Sequence, residues 1–203
     1  MKILIIGHIN SGKSTVSNYL KSKGYVVYSL GDGVKKFIVE MYEILHRLDP
    51  TIKTIKLEDL YDRDKKELYR THMQLISTEL LRSFFGDDIW VNYLKRKFIK
   101  PRKSSYFDYS NQLELVEKLK QSSPSPTRSP GLNEEYIVID DIRFKNEYEL
   151  LKDDETITIK ITRPEEIKTN HEEIDLIETD YVINNTKSLN ELYEQIDKII
   201  ECY

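Results

Sequence analysis

The sequence predicts an α/β fold built on a parallel sheet, and three observations lead there. Short apolar, β-branched runs alternate along the chain with stretches whose apolar residues recur every three or four positions. The first run is apolar at consecutive positions (Ile3, Leu4, Ile5 and Ile6), as in a strand buried on both faces. A glycine-containing stretch, residues 7–14 (GHINSGKS), then joins that run to a helical one. At 203 residues the chain is long enough for one domain with a sizeable core and some additional material.

The elements follow in order. Residues 2–6 form a strand ended by Gly7, and residues 14–23 carry helical spacing. A second strand, 25–30, precedes Gly31-Asp32-Gly33, which reads as a loop. Val34, Phe37, Ile38, Met41 and Leu45 then recur at helical steps. Residues 64–85 are the most helix-like stretch, because Met73, Ile76, Leu80 and Phe84 fall on one side at about 100° per residue. A further helix covers 87–99. Strands at 136–139, 156–161 and 181–183 alternate with helices at 145–151 and 189–200.

Between residues 100 and 135 the pattern breaks. Residues 122–131 (SSPSPTRSPG) hold three of the six prolines and no aliphatic side chain, so the segment reads as a flexible surface insertion, with a helical piece at 112–119.

Composition excludes several classes. Thirty-one Lys and Arg against 35 Asp and Glu give a net charge of −4, with no bulk basic field for stable nucleic-acid binding. The single cysteine, Cys202, allows no internal disulfide and fits a reducing compartment. No run approaches the roughly 18 apolar residues of a membrane span, so a soluble, cytoplasmic protein without membrane partners is expected. His8, His46 and His72 lack ligand spacing, which argues against a zinc site. Trp90 reads by itself as a packing residue.

Residues 7–14 satisfy G-x-x-x-x-G-K-[ST] after a buried strand and before a helix, the setting in which that pattern binds a nucleoside triphosphate. Backbone N–H groups from Gly7 through Asn10, Ser11 and Gly12 wrap phosphate oxygens, and the helix N-terminus adds partial positive charge. Lys13 bridges the outer phosphates, Ser14 ligates Mg²⁺, and Thr15 adds a hydroxyl contact. An acidic partner for the magnesium shell is expected at the end of a neighbouring strand, where Asp140 and Asp141 stand. Asp141 is favoured, since it lies two residues before Arg143 and D-x-R sets acid and guanidinium over one crevice. Arg70, Gln74, Thr78 and Arg82, spaced by four, climb one side of the 64–85 helix opposite its apolar stripe. An Arg fork suits a phosphate and a Gln suits a base edge, although a solvated face would look the same. Asp32 and Lys35 should reach the same sheet edge, with helix capping as the other reading of Asp32. Gly7, Gly12, Gly31 and Gly33, four of the seven glycines, thus cluster at the expected site.

The order of these motifs resembles the deoxynucleoside monophosphate kinase family of phages and large DNA viruses, within the nucleotide-kinase-like P-loop NTPases. The resemblance rests on GHINSGKST (7–15), LGDGVKKF (30–37), RTHMQLISTELLRSFFGDDIWV (70–91), YIVIDDIRFKNEYEL (136–150), KITRP (160–164), NHEE (170–173) and DYVINNTKSLNEL (180–192). It implies a single P-loop kinase domain over 1–203 with a five-stranded parallel sheet flanked by helices, an acceptor-binding helical region at about 50–99, and the insertion at 100–135. It further implies ATP and Mg²⁺ as cofactors and transfer of the γ-phosphoryl group to a deoxynucleoside monophosphate (dNMP), giving ADP and a dNDP. Lys13, Asp141 and Arg143 would be catalytic. Arg163 and Asn185 would join the P-loop in binding ATP, and Asp32, Lys35, Arg70, Gln74, Thr78, Arg82 and Trp90 would bind the acceptor, Arg70 and Arg82 clamping its phosphate. For a viral protein the compartment would be the host cytoplasm, and a homodimer is a candidate assembly. Ser77 stands where the family usually has glycine, which leaves the nucleotide preference open. A phosphomevalonate-kinase-like enzyme and a non-catalytic NTP-binding switch are the alternatives, although no N-K-x-D base-reading segment of a guanine switch is present.

Overall fold

The structure, a computed structural model, describes residues 1–98, 136–164, 166–167 and 173–203. The expected insertion and its helical piece at 112–119 lie outside the described residues, as does most of the 170–173 motif.

Five strands form one parallel sheet in the order β2-β3-β1-β4-β5: β1 (Lys2–Ile6), β2 (Val26–Ser29), β3 (Ile137–Ile142), β4 (Thr156–Thr162) and β5 (Tyr181–Asn184). Central β1 has no solvated face. Ile3 and Ile5 pack with Val16 and Leu20 of α1 (Lys13–Ser22) and with Leu192, Ile196 and Ile199 of α7 (Leu189–Ile200). Leu4 and Ile6 point the other way, into Trp90, Val91 and Leu94 of α5 (Ile89–Phe98) and Tyr148 and Leu151 of α6 (Lys145–Leu151). Each of these four β1 side chains is fully buried, worth about 1.5–3 kcal/mol apiece. Consecutive apolar residues are therefore what two-sided burial requires.

Two expectations are corrected. Gly31-Asp32-Gly33 is not a loop: α2 (Gly31–Leu48) begins at Gly31, directly after β2 and Leu30. Packing outweighs the weak helix propensity of Asp and Gly here. A Cβ on Gly31 would stand 2.4 Å from Oδ2 of Asp141, so the missing side chain is what lets the helix start beside that carboxylate.

The 64–85 stretch is also not one uniform helix. It runs as α3 (Arg63–Gln74), a π-helical segment (Leu75–Arg82) and a short α4 (Ser83–Phe85). Each π turn holds more residues than an α turn, so the buried face shifts in register. Met73 is buried as expected, but Leu80 and Phe84 are 47% and 75% exposed, and Leu81 enters the core instead. The same change keeps the polar stripe in line. Arg82 lies twelve residues after Arg70, and a pure α-helix would carry it about 120° around the axis. The slower rotation of the π segment brings it back, so that Arg70, Gln74, Thr78 and Arg82 line one cavity.

Candidate functional site

The site lies at the C-terminal ends of the neighbouring strands β1 and β3, where the connection leaving β1 runs to β2 on one side of the sheet and the one leaving β3 runs to β4 on the other. Between β1 and α1 the loop turns tightly, with Ser11 N–H donating to the His8 carbonyl at 3.2 Å and Asn10 at φ 67°. Gly12 has φ 107°, and a Cβ there would come within 2.3 Å of Nδ2 of Asn185. That amide donates to the Ser11 carbonyl at 2.9 Å, so Asn185, just past β5, braces the loop. His8 is buried and bonds Asp175 at 3.1 Å, which ties the loop down on its other side. Nζ of Lys13 curls over the loop, donating to the carbonyls of Gly7 (2.5 Å) and His8 (2.7 Å).

A bulge turns the two aspartates in different directions. Leu4 pairs with Ile139 and Ile6 with Ile142, so Asp140 and Asp141 both oppose Ile5. Asp141 takes φ 61°, a left-handed conformation that re-aims its carboxylate. Asp140 turns toward α1 and accepts from Oγ of Ser17 at 2.6 Å. Burial is the largest influence on both groups, pushing each carboxyl upward. For Asp140 it prevails, with help from the Asp141 charge, and the group is raised. For Asp141 it is outweighed by Arg143, Lys13 and Lys66, and the carboxyl is held below its ordinary value. Arg143 donates to Asp141 from Nε and Nη2 at 3.1 and 3.0 Å.

Two cavities of about 680 and 570 Å³ meet over these groups, each of the size that holds a small-molecule ligand. The first is lined by Gly7, Asn10, Gly12, Lys13, Ser14, Thr15 and Arg163, together with Tyr61. The second is lined by Lys35, Arg70, Gln74, Thr78, Arg82 and Trp90, with Met73, Ser77, Phe144 and Glu147. Asp141, Arg143, Lys66 and Arg70 border both.

No family model matches the chain. It is 26% identical over 204 residues, covering 97% of this chain and 94% of the relative, to a protein described as "Putative deoxynucleotide monophosphate kinase" from Acanthamoeba polyphaga mimivirus. Over nearly its whole length, the chain resembles a deoxynucleotide monophosphate kinase. Two solved structures are also similar: TT1252 from Thermus thermophilus (21% identity, TM-score 0.45, 99% of this chain and 96% of that one) and dephospho-CoA kinase from Campylobacter jejuni (16%, 0.41, 98% and 95%).

Most residues singled out from the sequence are thus brought together; Asp32, Ser11 and Asn185 are not on the cavity walls. Asp32 accepts from Tyr61 Oη at 2.7 Å and pairs with Lys35 at 3.4 Å, whose ammonium sits 3.9 Å from the Tyr61 ring centre. Burial and the Asp32 charge raise the Tyr61 hydroxyl far above its ordinary value. Ser11 is fully buried beneath the loop.

Arg82 is differently placed from Arg70. It is 7% exposed, donates to Glu147 at 2.9 Å and Asn146 at 3.1 Å, and stacks on Phe144 at 3.8 Å. Three turns of helix separate it from Arg70, which pairs with Glu67 at 2.7 Å. Both side chains line the second cavity, Arg82 held by Glu147 and Arg70 by Glu67. Trp90 is buried as a packing residue, yet also lines the cavity, its Nε1 donating to the Ser77 carbonyl at 3.2 Å.

Sequence reasoning missed Lys66, Tyr61 and Glu147. The signal for Lys66 was present: it lies four residues before Arg70, one further step of the same stripe. Burial lowers its pKa, with Lys35, Arg143 and Arg70 adding to that and Asp141 opposing. Glu147 sits in the NE of RFKNE, where it accepts from the backbone N–H groups of Arg143 and Phe144. Among the described residues no helix is long and apolar enough to cross a membrane.

Proposed function

We propose that this chain is a nucleotide kinase that transfers the γ-phosphoryl group of ATP to a deoxynucleoside monophosphate. The observation that carries this reading is the junction of the two cavities: a loop of nucleoside-triphosphate-binding pattern adjoins a second pocket lined by cations and by apolar side chains. A switch module needs no second pocket. Met73, Val34 and Trp90 supply apolar surface, and Gln74, Ser77 and Thr78 supply hydrogen-bonding groups, a pairing that suits a nucleobase better than phosphomevalonate.

The residues present fit ATP and Mg²⁺. Glycine at residue 12 admits the close packing of the loop, and Asp141 is held anionic beside Ser14. Among the described residues, no cluster of three or more His, Cys, Asp or Glu side chains could hold a metal alone. A magnesium ion would draw its remaining ligands from phosphate and water. Bound there, ATP supplies the phosphoryl group, its bond to the bridging oxygen breaking as an acceptor phosphate oxygen bonds to the γ-phosphorus, giving ADP and a dNDP. Lys13 and Arg143 then offset charge on the transferring group, and Arg70 and Lys35 orient the acceptor, so that positioning and charge neutralisation carry the catalysis. Arg163 would cover the nucleotide on the outer rim.

ADP release from ATP, measured with each dNMP, each ribonucleoside monophosphate and phosphomevalonate, tests the reading. Turnover that requires a dNMP is expected. Turnover confined to phosphomevalonate, or slow hydrolysis indifferent to acceptor, would overturn it.

A further inference from the structure

Of the three cations bordering both cavities, two are already engaged. Arg143 is bonded to Asp141 and Arg70 to Glu67. Lys66 is not: its ammonium has neither hydrogen bond nor ion pair among the described residues, although the side chain is half-buried and faces both cavities. A half-buried ammonium that feels the Asp141 carboxylate through space but is bonded to no partner is costly and is retained where an anion will meet it. The stripe of α3 fixes its place, since Lys66 lies one helical turn from Arg70 on the side that carries Gln74.

We propose that Lys66 is a catalytic residue that contacts the phosphoryl group in transit, bridging donor and acceptor phosphates at the junction of the two cavities. This rests on the kinase reading above. As charge passes to the β–γ bridging oxygen and the acceptor oxygen bonds to phosphorus, the ammonium has both sets of oxygens within its reach and neutralises charge at the point of transfer. It neither gains nor loses a proton in the step. Lysine suits this task because a compact, mobile ammonium follows a moving group, whereas the fork of arginine holds a fixed one.

The test compares Lys66→Met and Lys66→Arg with the unaltered protein, using as probes ADP, a dNMP, and a dinucleoside pentaphosphate in which adenosine and a deoxynucleoside are joined through five phosphates. For Lys66→Met we expect pentaphosphate affinity to fall about 10- to 100-fold while ADP affinity is unchanged. The kcat should drop on the order of 100-fold, with the unfolding midpoint equal to or above that of the unaltered protein; Lys66→Arg should recover part of both losses. A lowered midpoint with equal loss of all three probes would overturn the proposal in favour of a structural role, as would unchanged pentaphosphate binding and kcat. If the unaltered protein shows no dNMP-dependent turnover but Lys66→Met still weakens the pentaphosphate selectively, the kinase reading fails and the bridging position stands. If the unaltered protein does not bind the pentaphosphate, both are overturned.

Discussion

The contact between Gly12 and Asn185 can be read as an energy. Gly12→Ala would hold a side chain at φ 107°, which costs about 1–3 kcal/mol. The new Cβ would also stand 2.3 Å from Nδ2 of Asn185, forcing that amide off the Ser11 carbonyl and forfeiting a hydrogen bond worth about 1 kcal/mol. Gly12→Ala should therefore destabilise by about 2–4 kcal/mol, and Asn185→Ala alone by about 1. Once the amide has been displaced, its removal costs nothing more. The double variant should match Gly12→Ala alone, a coupling of about 1 kcal/mol. Urea unfolding of all four proteins without nucleotide measures this, with equal m-values as the check that only stability has changed. Additivity within about 0.3–0.5 kcal/mol would refute the brace.

Three further outcomes follow from the same geometry. Asp140→Asn keeps an acceptor for Ser17 and removes a charge whose pKa burial and Asp141 raise; such a charge costs stability above the folded-state pKa and nothing below the unfolded-state one. The variant should be more stable than the parent near pH 7, with the gap closing toward pH 3, as urea midpoints at the two pH values would report. Leu81→Ala should destabilise by about 2–5 kcal/mol and Leu80→Ala by about 0.5 or less, because the π register buries the former; equal effects on thermal unfolding would restore a uniform helix. Arg70→Ala should raise the acceptor KM severalfold with little change in kcat if it supplies uniform binding, and steady-state kinetics with varied dNMP decide.

Much of the fold was legible because it depends on one-dimensional patterns. Consecutive branched residues in β1 and the glycine-lysine spacing after it can be read without knowing any neighbour. What could not be read depends on other elements. The need for glycine at residue 31, where α2 begins, comes from the Asp141 carboxylate that occupies the space beside it. The bulge that turns Asp141 and Asp140 apart is a property of β1 and β3 together. The π segment hides in a sequence whose α periodicity looks intact, and only the burial of Leu81 in place of Leu80 exposes it. Arg82 matched the stripe by spacing, yet its engagement with Glu147 joins residues 65 positions apart. Lys66 is readable in principle, four residues before Arg70 on the same stripe.

The central claim is that the two cavities hold donor and acceptor at once, and direct detection of both products tests it most closely. With ATP, Mg²⁺ and a dNMP, phosphorus NMR should show ADP and dNDP appearing in equal amounts, and Lys13→Ala should abolish both signals. Inorganic phosphate accumulating with ADP, and no dNDP with any acceptor, would mean that the second cavity does not receive the phosphoryl group.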